Sequence, residues 1–317
     1  MARVKGDPRR NIVDALRLWF YLEFVSKEAG IKKTGYQLEQ YFQPDNMKKP
    51  DDAEFLKRSG KWERLVALKT FPSEATILLI EQRLPGARYY LEMPLWQALQ
   101  PEPKSNKEWV QFYRKLRPAL CNAALSLTTD NDHAVRIKHV RSKALDDILF
   151  EGDIDALACS IALFRHAKAS GAGVYACRQI EWKINALLFG VLNQWPFYNH
   201  KLVFYKAFKK FVISEKDGNL LFPPMWDYSD EDFLLKSQIQ NSILLIAEDI
   251  GLIKPIKERQ YFLYLVRKSD QFCVYQELNE AKQVKQWQVK KSKDGLEWVI
   301  RKLNRKRPPS KQIGPQI

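Results

Sequence analysis

The sequence has few of the residues and motifs that mark common enzyme classes. It contains four histidines and four cysteines in 317 residues, and no two cysteines stand at the C-x-x-C spacing of a zinc site. It also has no P-loop and no G-x-G-x-x-G segment that would hold a nucleotide. We therefore expect no cofactor, no metal ion and no catalytic activity.

Long apolar runs are missing as well. Charged residues interrupt the most apolar helical stretches, so the sequence predicts no membrane span. The chain begins with charged and polar residues, which do not form a secretory signal. We expect a cytoplasmic protein in which Cys121, Cys159, Cys177 and Cys273 are reduced and mostly buried.

Positive charge is what the sequence has in excess. There are 52 lysines and arginines against 37 acidic residues, which gives a net charge of +15. Such a surplus attracts polyanions, and contacts with phosphates release counterions. Because 45% of the residues are hydrophobic, the chain should also fold. We expect a nucleic-acid partner, and DNA rather than RNA; a plain basic surface or an acidic protein partner is the alternative.

Apolar spacing predicts a mainly α fold with small antiparallel β-hairpins near the C-terminus. We expect a helix-turn-helix-like domain over 1–100, a helical domain over 107–250, a basic segment with β-hairpins over 251–304, and a basic tail over 305–317. Pro101 to Asn106 is the predicted linker. The central helical domain is a candidate for homodimer formation or for contact with a protein partner.

Local signals place several helix ends. Thr34 should cap a helix over Gly35 to Phe42, and Ser73 should begin one that runs to Leu84. Ser229 should cap a helix from Asp230 to about Asp249. These predictions rest on residues that are close in sequence, so they do not depend on the tertiary fold.

Two segments near the C-terminus have the composition of β-hairpins. Tyr261 to Val266 and Phe272 to Glu277 flank a short polar turn, and Gln286 to Lys290 and Leu296 to Ile300 flank Asp294-Gly295. A helical interpretation stays open because short apolar runs are ambiguous. With the preceding helix, the first hairpin could form a winged helix bordered by Lys254, Lys257, Arg259, Arg267 and Lys268.

A pattern in the first domain carries a family resemblance. Pro72 to Leu84 reads P-S-x-x-x-I-x-x-I-x-x-x-L, and Trp62-Glu63-Arg64 and Thr34-Gly35-Tyr36-Gln37-Leu38 stand upstream. Over residues 10–90 this resembles the Cro/C1 (Xre) type of helix-turn-helix DNA-binding domain. The chain departs from that pattern at 43–58, where the family has a tight turn. It also has no glycine between Leu65 and Phe71.

The resemblance implies a helix in the major groove and a preceding helix across the DNA backbone. The implied groove or phosphate contacts are Lys57, Arg58, Lys61 and Arg64, with Lys69 as a phosphate contact. The alternative is a small helical bundle without a ligand, in which the Ile77, Ile80 and Leu84 face is simply core. Trp62 is expected in the core under either interpretation.

The second candidate for nucleic-acid binding is the C-terminal basic segment. Between Lys282 and Lys311 eleven lysines and arginines stand against two acidic residues, with Trp287 and Trp298 among them. Cations interleaved with aromatic rings suit phosphate contact and base stacking. The residues predicted to bind are Lys290, Lys291, Lys293, Arg301, Lys302, Arg305, Lys306 and Arg307. The alternative is a solvated face with its tryptophans in a hairpin core.

One enzymatic alternative stays open. A metal-dependent nuclease could use Glu181 and Lys183 with Asp153 or Asp155 as a further acid, although such a triplet belongs on a strand and this segment predicts a helix. The sequence favours a non-catalytic DNA-binding protein, either a transcription regulator or an accessory factor. A further alternative is an adaptor subunit of a protein–nucleic acid assembly in a mobile-element or phage-defence system.

Overall fold

The structure is a computed structural model, and it describes residues 12–44, 60–100, 104–128, 143–194, 197–212, 228–253, 258–268, 274, 278 and 296–305. The chain forms two compact units, Met1–Gln100 and Pro101–Ile317. The described residues are mainly helical in both units, which confirms the predicted α class.

Short helices build the described part of the first unit. They are α1 (Ile12–Glu28), α2 (Gly35–Phe42), α3 (Lys61–Val66), α4 (Glu74–Arg83), α5 (Ala87–Glu92) and α6 (Pro94–Leu99). The predicted cap of α2 is confirmed, and α4 begins after Ser73 as predicted, with Ser73 as its cap. The Thr34 hydroxyl accepts a hydrogen bond from the Gln37 N–H at 3.2 Å, and the Ser73 hydroxyl accepts one from the Thr76 N–H at 3.4 Å.

Aromatic side chains form much of the core of this unit. The ring of Phe20 faces Trp96 with the centroids 5.8 Å apart, and Phe24 stacks on Tyr90 at 3.8 Å. These contacts attach α1 to α5 and α6, because Tyr90 and Trp96 lie on those helices. Trp62 is fully buried, as predicted. Packing of apolar and aromatic side chains therefore holds the helices of the first unit together.

The second unit is larger, and α10 and α11 form its centre. Its described helices are α7 (Asn106–Arg114), α8 (Pro118–Ser126), α9 (Lys143–Glu151), α10 (Ile154–Ala169), α11 (Val174–Leu192), a short 3₁₀ helix (Tyr198–His200), α12 (Lys201–Val212), α13 (Asp230–Asp249), α14 (Arg259–Lys268) and α15 (Leu296–Asn304). Most residues of α10 and α11 are buried. The predicted Ser229 cap is confirmed by a hydrogen bond of 3.0 Å from the Asp232 N–H.

Residues 106–126 form two helices, α7 and α8, with a proline at the start of the second. The chain leaves α7 after Arg114 and begins α8 at Pro118, and Arg117 between them is extended with ψ at 154°. A proline disfavours helical backbone in the residue before it and has no N–H to donate. Pro118 therefore suits the first turn of α8 and ends any continuous helix.

The β-hairpin prediction is wrong wherever the structure describes it. Tyr261 to Val266 belongs to α14, and Leu296 to Ile300 belongs to α15. In α14 the buried residues Tyr261, Phe262, Leu265 and Val266 recur at the spacing of a helix. Because this stretch is helical, the first strand of the proposed wing does not exist. Of the predicted strand Phe272 to Glu277 only Val274 is described, and the predicted strand Gln286 to Lys290 lies outside the described residues.

Candidate nucleic-acid interface

The geometry of the first candidate site begins where α2 meets α3. At Gly35 the two backbones approach so closely that a Cβ atom there would lie 2.6 Å from the amide nitrogen of Glu63. On the next turns Phe42 stacks on Trp62 with centroids 5.4 Å apart, and the Trp62 indole N–H donates to Gln43 Oε1 at 3.0 Å. The orientation of α3 is therefore set by its buried contacts with α2.

Three of the predicted contact residues lie on α3 or in the turn that follows it. Arg64 and Lys69 are exposed, whereas Lys61 is only half exposed, with its ammonium 5.3 Å from the centre of the Trp62 ring. Burial lowers the pKa of Lys61, and the carboxylate of the buried Glu39 opposes this effect. Lys61 therefore interacts partly with groups of the protein itself, and Arg64 and Lys69 are the more accessible cations.

A tight corner after α3 places Lys69 beside Arg64. The Lys69 N–H donates to the Arg64 carbonyl at 2.8 Å, and the Leu68 N–H donates to the Leu65 carbonyl at 2.9 Å. This pair of bonds is the Schellman motif, which needs a left-handed residue and usually places glycine there. Here Leu68 takes that conformation, with φ at 56°. The corner therefore exists although the glycine of the family pattern is missing.

Sequence reasoning missed the open side of α2. Tyr36 is 50% exposed, and Gln40 one turn later is also exposed. An open groove of about 420 Å³ lies beside them, lined by Gly30, Ile31, Lys32, Gln37, Gln40 and Tyr41. A solvent-facing tyrosine on a helix next to a basic loop was the available signal. The groove adds polar and aromatic surface beside α2.

Other cations of the first unit are engaged in internal pairs. Lys33 contacts Glu23 at 2.6 Å and lies over the Trp19 ring at 4.6 Å. Arg88 contacts Glu74 at 2.6 Å, and these acidic partners reduce its attraction for an outside anion. Arg64 and Lys69 are exposed cations of this unit outside these pairs, and an exposed cation attracts phosphate most strongly when no carboxylate faces it.

The second candidate region is described only in α15. Arg301 and Arg305 are exposed and Lys302 is half exposed, while Val299 and Leu303 are buried on the other side of the helix. The predicted contacts Lys57, Arg58, Lys290, Lys291, Lys293, Lys306 and Arg307 lie outside the described residues. The described part therefore brings together the three cations at α15 and, separately, the three cations at α3.

Arg305 lies near carboxylates as well as near solvent. Burial raises the pKa of Tyr261 to about 12, Asp146 adds to this rise, Arg305 opposes it, and Asp147 adds a smaller rise. These four groups must therefore be close enough to interact. Arg305, which follows α15, is therefore close to Tyr261 of α14 as well as exposed to solvent.

The residues of the nuclease alternative do not assemble as expected. Glu181 and Lys183 lie on α11, which is a helix as predicted, and both are buried. Lys183 contacts Asp146, while Asp153 caps α10 and contacts Arg117 at 2.6 Å. The described residues thus place the lysine beside a different acid. Within the described ranges, no group of three His, Cys, Asp or Glu residues could hold a metal ion.

Comparisons with known proteins give the chain no family. No protein-family model, curated protein or solved structure matches it. None of the described helices is long and apolar enough to cross a membrane. The functional argument therefore depends on the geometry and charge of the chain itself.

Proposed function

We propose that the protein binds nucleic acid, preferably duplex DNA, without catalysing a reaction, and that the outer face of α3 is the main contact. The observation that supports this most directly is the exposure of Arg64 on α3 and of Lys69 in the turn after it, next to a buried Trp62 that fixes the orientation of the helix. A rigid element that presents cations can place them on phosphates without a large ordering cost. The α2 surface beside it supplies further polar groups.

The resemblance to Cro/C1 (Xre) domains supports the same face. In that family one helix enters the major groove while the helix before it crosses the backbone. Two helices of this chain, α2 and α3, meet through Gly35 and Trp62, and the cations lie on the open side of α3. On this proposal the protein acts as a regulator or as an accessory factor of a larger assembly.

The test is equilibrium binding of the full chain to duplex DNA, single-stranded DNA and RNA over a salt series. We expect duplex DNA to bind most tightly. The double substitution Arg64→Ala and Lys69→Ala should weaken binding and reduce the slope of log K against log salt by about two, because each lost phosphate contact removes roughly one unit of slope.

The matched control removes the same charges elsewhere. Arg114 and Lys115 are an exposed arginine and lysine at the end of α7, so Arg114→Ala with Lys115→Ala lowers the net charge equally. We expect the control to keep most of the affinity and the slope. If both double variants lose affinity to the same extent, diffuse charge and not the α3 face carries binding.

The α15 region needs a point substitution. Val299 and Leu303 are buried, so a chain that ends before α15 would lose core side chains as well as cations. Arg301→Ala removes one exposed charge and leaves that packing intact. A fall in the salt slope by about one for Arg301→Ala would add α15 to the interface. An unchanged slope would exclude Arg301 from the interface.

A further inference from the structure

We infer that α13 forms a two-fold, antiparallel contact with α13 of a second copy of this chain. The inference starts from the exposed side of this helix. Leu235 is 56% exposed, Ile239 is 43% exposed and Leu245 is 53% exposed, although all three are aliphatic. Single apolar residues on a surface are ordinary, but a row of them along one helix marks an interaction surface.

These residues follow a helical seam. Positions 235, 239, 242 and 245 are spaced by four, three and three residues, so Leu235, Ile239, Ser242 and Leu245 lie along one exposed side of the helix. Ile246 is buried and belongs to the core side. Spacing of three and four residues is what a second helix needs in order to pack along the first. The row occupies the middle of α13, which runs from Asp230 to Asp249.

The opposite side of α13 is already occupied by the protein core. Phe233 stacks on Tyr205 of α12 with the ring centroids 3.9 Å apart. Ser237 donates from its hydroxyl to Asn193 Oδ1 at 2.8 Å and accepts from the Lys201 ammonium at 2.9 Å. The apolar row faces away from these contacts, so a partner can cover it without changing the fold.

The charged residues of α13 favour an antiparallel arrangement of the two copies of this helix. The first turn of α13 carries Asp230, Glu231 and Asp232, so two parallel copies would bring like charges together. A two-fold axis beside Ser242 instead brings Lys236 level with the last turn of the other copy, where Asp249 is exposed. It also brings Ile239 level with Leu245 of the second copy. One patch therefore complements itself, as a two-fold contact requires.

A contact made by one pair of helices lies at the small end of protein interfaces, so the dimer should be reversible. We would measure sedimentation of the full chain over a concentration series without nucleic acid. The wild type should shift from monomer to dimer as concentration rises. Ile239→Glu should raise the dissociation constant at least tenfold, because the contact would bury an unpaired carboxylate.

The control is Val203→Glu, which places the same charge on α12. Val203 is 47% exposed, close to the exposure of Ile239, and it lies outside the α13 row. It should leave dimerisation unchanged. Ile239→Gln is an uncharged change at the same position, and it replaces Ile239→Glu if that variant fails to fold. We expect Ile239→Gln to weaken the dimer as well. Its circular dichroism spectrum should match that of the wild type.

Charge reversal tests the direction of the helices. Lys236→Glu should weaken the dimer, and adding Asp249→Lys should restore it, because the two charges exchange places across the contact. A wild type that stays monomeric at all concentrations would overturn the inference. Equal effects of Ile239→Glu and Val203→Glu would overturn it too, as would a failure of the double reversal to restore association. None of these outcomes depends on nucleic-acid binding.

Discussion

Among the described residues both units pack aromatic rings in their cores, and the larger unit buries more polar side chains. In the first unit Phe24 stacks on Tyr90 and Phe42 stacks on Trp62. The larger unit holds paired polar groups in its interior, of which Lys183 with Asp146 is one. An apolar core is sensitive to lost volume, whereas a polar core is sensitive to the loss of one partner. Matched substitutions in the two units can test this difference.

A second polar cluster of the larger unit surrounds His166. Its Nε2 lies 3.1 Å from Asn106 Oδ1 and its Nδ1 lies 3.1 Å from the Tyr113 hydroxyl. Since an amide oxygen only accepts, the proton of His166 belongs on Nε2, and the Tyr113 hydroxyl donates to Nδ1. This arrangement satisfies every polar atom of the ring with one tautomer. These hydrogen bonds join α7 to α10. Because hydrogen bonds are directional, they fix the orientation of the two helices in a way that apolar packing alone does not.

The largest loss of unfolding free energy is expected from Trp62→Ala. This change removes a fully buried indole together with its stacking on Phe42, and such deletions cost about 3–5 kcal/mol of unfolding free energy. Urea unfolding followed by tryptophan fluorescence would measure the loss. Trp62→Phe should cost clearly less because it keeps a ring against Phe42. Equal losses for the two variants would show that volume does not dominate this core.

The next largest loss of stability is expected when the interior ion pair of the larger unit is broken. Asp146→Ala leaves the Lys183 ammonium, whose side chain is 5% exposed, without its carboxylate, and we expect a loss of about 3 kcal/mol. Adding Lys183→Met should recover most of that loss, because the uncompensated charge is then removed. Thermal or urea unfolding of the two variants provides the comparison. A double variant no more stable than Asp146→Ala would contradict this account.

A pH-dependent effect is expected from Glu181. Burial raises the pKa of this carboxyl group, and the nearby cations Arg178 and Lys168 only partly oppose the rise. A raised pKa in the folded state gives stability that is complete below the unfolded value and is lost as pH increases. Glu181→Gln should therefore stabilise the protein at pH 7 and have almost no effect near pH 4. Unfolding curves at both pH values would show this; an equal gain at pH 4 would contradict it.

The smallest change in stability is expected at two helix ends of the first unit. Both α1 and α3 end in a left-handed residue, which is Gly30 after α1 and Leu68 after α3. Because only glycine takes this conformation without a steric cost, Leu68→Gly should stabilise the protein by up to about 1 kcal/mol.

The reverse change at the other helix end is the control. A Cβ at Gly30 meets no atom within 4 Å, so Gly30→Ala tests the backbone conformation alone. It should destabilise by about 1 kcal/mol. Thermal unfolding of both variants measures the pair. A destabilising Leu68→Gly would show that contacts of the leucine side chain outweigh its backbone strain.

Most of the helical fold could be predicted from the sequence, and the errors have a physical pattern. Thr34 and Ser229 were predicted as caps and are confirmed, because a cap joins atoms three residues apart. The segment Tyr261–Val266 was predicted as a strand and is helical. Its short run of aromatic and β-branched residues suits both states, and contacts of α14 with α11 and α9 decide between them.

The candidate site was predicted in part. The sequence indicated Lys61, Arg64 and Lys69 as cations around Trp62, and the structure places these three on and next to α3. It did not indicate that Lys61 is half buried beside Glu39, since that residue is distant in sequence. It also did not indicate the exposed Tyr36, because exposure depends on how the helices pack. Their role in binding stays a prediction.

By itself the sequence determined the helical class, the confirmed helix caps and the excess of positive charge, because composition and hydrogen bonds within one turn do not require the rest of the chain. Only the tertiary structure decided which charges face solvent. Arg64 stays exposed, whereas Lys183 is buried against Asp146, a residue 37 positions away. Burial and charge pairing are properties of packed helices, and packing brings together residues that no local pattern connects.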